Sequence, residues 1–240
     1  MSRAVSKKNI FKKSHPLVVG SVTTFEGLQI ASQATTKDCD IIEVRLDLMP
    51  KSLLSHFTQL CKLLEVIKLP ILATLRSNQE GGKCTWPLNW RLGFLEMILP
   101  HVDLIDLELF AVANDPGKIA SFRNLGKIII LSYHDFEKLP QNQFIQKKID
   151  EMFKAGADIA KVAGFIKSRK ELTRILSLME KQQKPVSLMG MGAYATESRV
   201  GLAKRGSLLN YGYIDQPAAP GQIRGADLLK KIRQTRHPGK

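Results

Sequence analysis

Short apolar, β-branched runs recur along the chain at Leu17 to Thr23, Ile41 to Leu46, Pro70 to Leu75, Val102 to Leu109, Lys127 to Tyr133, Asp158 to Ala163, Pro185 to Met189 and Ser207 to Tyr213. Runs of this length without polar alternation predict strands covered on both faces. Between them the apolar spacing becomes helical. Leu53, Leu54, Phe57, Leu60, Leu64 and Ile67 mark one face, and Leu172, Ile175, Leu176 and Met179 another. Asn142 to Ala155 carries a third, followed by Gly156 as a C-terminal cap. Eight strand–helix units in 240 residues predict an α/β fold, a (β/α)8 TIM barrel in a single domain over residues 17–236. Residues 1–16 form a basic N-terminal extension outside it. An open doubly wound sheet is the alternative architecture.

Charge modifies this picture only at the ends. The net charge of +14 suggests nucleic acid, but residues 1–15 (Arg3, Lys7, Lys8, Lys12, Lys13) carry five positive charges and residues 224–240 a net five. The barrel between them is close to balanced, and no basic–aromatic interleaving marks a stacking platform, so nucleic acid is not the expected partner. No apolar run reaches the ~18 residues of a membrane helix, and the N-terminus lacks the apolar segment of a signal peptide. Cys39, Cys61 and Cys84 show no metal-binding spacing, which predicts reduced thiols, a cytoplasmic location and no metal site.

In a barrel of this kind the chemistry sits at the C-terminal strand ends. Strand 2 offers Glu43, Arg45 and Asp47 on one face by the two-residue period, and strand 3 ends in Arg76 with Glu80-Gly81-Gly82 beyond it. Strand 4 carries Asp106 and Glu108, strand 5 ends in Ser132-Tyr133-His134-Asp135, and strand 6 buries Lys161 in an apolar run. A lone buried ammonium is costly, so Lys161 is either paired, with Asp158 the nearest acid in sequence, or partly neutral and nucleophilic. Gly190-Met191-Gly192-Ala193-Tyr194-Ala195 followed by Asp215 has the outline of a dinucleotide fingerprint, but it comes too late in the chain to open such a domain. Its amides could still cradle an anion.

Taken together, Glu43-Val44-Arg45-Leu46-Asp47, Thr74-Leu75-Arg76 with Glu80-Gly81-Gly82, Ser132-Tyr133-His134-Asp135-Phe136, Asp158 to Lys161, Ser198-Arg199 and Ala219-Pro220-Gly221-Gln222 resemble the type I 3-dehydroquinate dehydratases. The motifs agree in order and spacing over residues 43–222. The resemblance implies a barrel enzyme, commonly a homodimer, that uses no cofactor. Its substrate is 3-dehydroquinate, dehydrated to 3-dehydroshikimate through an imine in the third step of the shikimate pathway.

By motif, the resemblance makes Lys161 the Schiff-base lysine, His134 the general acid/base and Glu80 its orienting partner. Glu43, Arg45 and Arg76 would bind ring hydroxyls and shape the site, and Arg199 and Gln222 would hold the carboxylate and a nearby hydroxyl. These residue types suit the reaction. The proton to be removed lies beside a ketone, and a protonated imine turns the resulting carbanion into an enamine. A histidine moves protons near neutral pH, and arginine pairs bidentately with carboxylate. Two departures stand out. Ala218 occupies a substrate-side position where the family commonly has serine, and Lys83-Cys84 follows Gly82 where smaller or acidic residues are expected. A sugar-phosphate aldolase barrel and a basic binding protein are the competing readings.

Overall fold

The computed structural model describes residue 10 and residues 15–50, 55–112 and 116–234. Strands β1 (Leu17–Val22), β2 (Ile41–Arg45), β3 (Ile71–Thr74), β4 (Leu104–Glu108), β5 (Ile128–Asp135), β6 (Ile159–Phe165), β7 (Val186–Met191) and β8 (Leu209–Tyr213) alternate with helices. These are α1 (Phe25–Gln33), α2 (Phe57–Val66), α3 (Leu88–Ile98), the short α4 (Leu109–Val112), α5 (Pro116–Asn124), α6 (Asn142–Lys154), α7 (Arg169–Glu180), α8 (Ala195–Lys204) and α9 (Gly225–Gln234). The expected runs all contain strands. β5, β6 and β7 each extend two residues further than expected, carrying His134 and Met191 into the ladder. Leu53 and Leu54 of the second helical face, and Arg3, Lys7, Lys8, Lys12, Lys13, Arg236 and Lys240 of the basic tails, lie outside the described residues.

All ladders are parallel, in the order β7-β6-β5-β4-β3-β2-β1-β8. β7 and β8 meet at the remaining seam, where serine hydroxyls supplement the backbone. Leu208 N donates to Val186 O at 2.9 Å, Ser187 Oγ donates to Leu209 O at 2.5 Å and accepts from Leu209 N at 3.0 Å, and Ser207 Oγ accepts from Leu188 N at 3.2 Å. The sheet is thereby a nearly closed barrel, the arrangement that leaves no long unpaired edge.

At the opposite end from the site, aspartates clasp the strands in pairs. Asp40, Asp103 and Asp158 each precede an even-numbered strand. Their carboxylates accept from Val18 N, Ile71 N and Ile129 N at 2.9–3.0 Å, and their own amides donate back to the same residues. Asp158 is therefore at the wrong end of β6 to pair with Lys161. Gly156 takes φ +103°, and Ala157 N donates to Met152 O at 2.9 Å, closing α6 with the expected glycine cap.

Residue parity divides the core in two. Val18, Ile42, Val44, Ala73, Ile105, Ile129, Leu131, Val162 and Leu188 face the helices. Leu17, Val19, Ile41, Leu72, Leu104, Ile128, Ile159 and Leu209 face the barrel axis with Ile10 packed among them. The lumen is apolar at the strand starts, and the same parity brings Glu43, Thr74, Asp106, Ser132 and Lys161 in above that floor. No helix among the described residues is long and apolar enough to cross a membrane.

Candidate active site

At the C-terminal end of the barrel the inward side chains surround a recess of about 490 Å³, counting its open mouth. All nine residues assigned from sequence line it, namely Glu43, Arg45, Arg76, Glu80, His134, Lys161, Arg199, Ala218 and Gln222. Ser21, Thr74, Phe136, Met189, Met191 and Tyr211 are also part of the wall.

Lys161 projects from the middle of β6 over the face of Tyr211, with Nζ 4.1 Å from the ring centroid. Its ion-pair partner is Asp106, whose Oδ2 lies 2.9 Å from Nζ. Asp106 Oδ1 also accepts from Arg76 Nη2 and from Ser132 Oγ, both at 2.6 Å. Burial alone would raise the Asp106 carboxyl, but Arg76 and Lys161 beside it hold it well below the usual carboxylate range. Arg76 is the hub of this layer, within 3.7 Å of Glu80 and 3.8 Å of Glu108. Glu108 in turn accepts from Ser77 N and pairs with Arg91 of α3.

Glu80 lies in a 3-10 turn (Asn78–Glu80) after β3. Its Oε2 is 2.8 Å from His134 Nδ1. The turn is fixed by Asp47, which accepts from Lys83 N at 3.2 Å and Arg76 N at 3.3 Å while pairing with Arg45. Lys83-Cys84, unusual for the resembled family, is thus part of a pinned loop, with Cys84 buried. Burial pushes Glu80 up to about 8, against the opposing effect of Arg76 and with help from Glu108 and Asp106. Burial, reinforced by Arg76 and Lys161, draws His134 well below its ordinary value. Both directions describe one shared proton, carried by the pair on Glu80 rather than as imidazolium.

Glu43 accepts from Ser21 Oγ at 2.6 Å and Thr74 Oγ1 at 2.8 Å. Arg199 of α8 is 1% exposed and makes no ion pair among the described residues. Its Nη1 donates to Tyr211 O at 2.6 Å, and its Nε finds no partner among the described residues. Burial lowers the guanidinium to about 10. An uncompensated buried cation facing a recess is costly in the empty protein and suited to an anionic ligand. Gln222 Oε1 accepts from Ala218 N at 2.7 Å, so the loop closes on its own glutamine.

The glycine-rich run at the end of β7 is not an anion nest. Gly190 N donates to Ser198 Oγ and Gly192 N to Pro220 O, both at 3.2 Å. Asp215 holds the turn into α1 instead of reaching a ribose, accepting from Thr23 N at 2.9 Å and Thr24 N at 2.7 Å, while Thr24 caps the helix. Asp106, Ser132 and Tyr211 are the members of the constellation that sequence analysis left without a role. The signal was present for Asp106, which shares its strand face with Glu108, but which lysine it meets depends on the register of β4, β5 and β6.

The fold and the recess define a (β/α)8-barrel enzyme whose charged groups converge at the strand ends. The family model for type I 3-dehydroquinase matches residues 17–237. The 3-dehydroquinate dehydratase of Methanothrix thermoacetophila is 34% identical over 218 residues, 91% of each chain. The catabolic 3-dehydroquinate dehydratase of Acinetobacter baylyi is 32% identical over 217 residues, 85% of this chain and 79% of that one. The crystal structure of the type I enzyme from Clostridium difficile with covalently modified comenic acid superposes with a TM-score of 0.85 at 26% identity, over 98% of each chain. The chain belongs to the type I 3-dehydroquinate dehydratase family.

Proposed function

We propose that this chain dehydrates 3-dehydroquinate to 3-dehydroshikimate through an imine on Lys161, as the third step of the shikimate pathway. The observation that carries this reading is the meeting of Lys161, a neutral His134 and an un-neutralised Arg199 in one recess. The substrate carboxylate pairs with Arg199. Glu43, Arg45, Arg76 and Gln222 contact the ring hydroxyls, with Ala218 offering backbone but no hydroxyl.

Lys161 condenses with the ketone. The ammonium loses one proton, the amine attacks the carbonyl carbon, and the carbonyl oxygen leaves as water, so an ammonium and a ketone become a protonated imine and water. His134 takes the proton from the adjacent carbon, the electrons moving into the imine to give an enamine. The resulting imidazolium gives that proton to the departing hydroxyl, which leaves as a second water. Hydrolysis then returns the ammonium and the product ketone. Arrival of the substrate's negative charge raises the proton affinity of His134 from its depressed value in the empty site. Glu80 holds the ring through Nδ1, and once the pair has released its shared proton Nε2 is left free to accept from the substrate.

We further assign residues 17–236 to the catalytic domain and residues 1–16 to a basic extension, and expect a cytoplasmic homodimer. Mixing the protein with 3-dehydroquinate should produce the ultraviolet absorbance of a conjugated enone. Absence of that absorbance, from protein that is folded, would overturn the assignment.

A further inference from the structure

Asp106 is buried behind Lys161 and Arg76 of the recess wall and has no step of its own in the reaction above. Resting on the reading of Lys161 as the condensing amine, we propose that Asp106 is the fixed counter-ion of that nitrogen through the whole cycle, keeping the imine protonated without ever taking a proton itself. Condensation of an ammonium with a ketone leaves one positive charge on the same nitrogen, so a single anion at 2.9 Å serves both states. The electron sink depends on that charge, because a neutral imine accepts the carbanion's electrons poorly.

The surroundings make an anion necessary. Arg76 just after β3, Arg45 from β2 and Arg199 from α8 all line the recess that the imine nitrogen shares. A further cation among three guanidiniums would lose its proton readily. The other acids are directed elsewhere. Glu43 on β2 is held by Ser21 and Thr74, Glu80 after β3 by His134 on β5, and Glu108 on β4 by Ser77 N and Arg91. Tyr211 of β8 presents its ring face to the amine. Among the described residues Asp106 is the one carboxylate within ion-pair distance of Lys161. Arg76 and Ser132 grip its other oxygen, which fixes its position and suits it to remain an anion.

The test is cyanoborohydride trapping with 3-dehydroquinate from about pH 5 to about pH 9, reading reduced Lys161 by peptide mass. Cyanoborohydride survives at acid pH and reduces protonated imines preferentially, so the yield reports the charge. Asp106→Asn keeps the shape and removes the anion. Its yield should fall at least about tenfold at neutral pH, which places the variant's imine about one unit or more below that pH, and recover toward acid pH. If Asp106→Asn does not fold, Asp106→Ser supplies the neutral side chain. Wild-type yield from a neutral variant, or a loss that acid does not restore, would overturn the proposal. Absence of any adduct on the wild type would instead overturn the imine reading, and this inference with it.

Discussion

Glu80 Oε2 and His134 Nδ1, 54 positions apart in sequence, meet at 2.8 Å and share one proton in a buried setting. Above about pH 8 the pair gives up that proton, and Nε2 of His134 becomes a free acceptor. The free enzyme's kcat/KM should therefore rise as pH climbs through about 8. In Glu80→Ala the group that carries this proton is gone and His134 keeps its depressed value, so the rising limb should move to lower pH by about one unit or more. Loss of positioning should lower the plateau by roughly 10-fold. An unchanged limb in a kcat/KM–pH profile would contradict the shared-proton description.

The same pair controls stability against pH. His134 has a depressed folded value, so its contribution is complete above its unfolded value of about 6.5 and is lost as pH falls below it. Glu80 is raised from 4.5 to about 8, so its contribution is complete below 4.5 and is lost as pH rises toward 8. Folded and unfolded chains each bind one proton at this pair between about pH 4.5 and pH 6.5, where its contribution is greatest. Melting curves of the wild type and of Glu80→Gln should therefore converge as pH rises from about 4.5 to about 8. A constant difference across that window would count against the assignment.

Arg199 should trade stability for binding. In the empty protein it is a buried cation without an anion, so Arg199→Met should raise the melting temperature by about 2–4 °C, or about 1 kcal/mol. The same variant should lower kcat/KM roughly 30- to 1,000-fold, chiefly through KM, because the carboxylate loses its partner. A fall in melting temperature together with an unaltered KM would remove Arg199 from the binding site.

The serine seam should matter to the barrel and not to the chemistry. Ser187→Ala strips two hydrogen bonds from Leu209, one to its carbonyl and one from its amide, and leaves both groups buried. The expected cost is about 1–3 kcal/mol in denaturant unfolding, with kcat/KM near wild type. Full stability in the variant would mean that the backbone alone closes β7 onto β8.

The strands were legible because a parallel strand buried on both faces must be a continuous apolar run, and Ile128 to Leu131 or Leu17 to Val19 can be little else. The polar residues of the recess were legible by the two-residue period within a strand, as with Glu43 and Arg45. Partners between strands were not. Lys161 pairs with Asp106 because β6, β5 and β4 stand side by side in a fixed register, and nothing in the sequence near Lys161 encodes that register. Asp158, the nearer acid in sequence, clasps Ile129 at the other end of the barrel. The glycines at 190 and 192 misled in the other direction. They admit close packing, as a Cβ at Gly192 would lie 2.7 Å from the Phe165 ring, and their amides are already bonded.

The central claim is that Lys161 forms the imine. Mixing the protein with 3-dehydroquinate and borohydride, then digesting and weighing the peptides, tests it directly. The account predicts a reduced adduct on the peptide containing Lys161, loss of turnover as the adduct accumulates, and no adduct in Lys161→Ala. An unmodified Lys161 in protein that still dehydrates the substrate, or an adduct on another lysine, would contradict it.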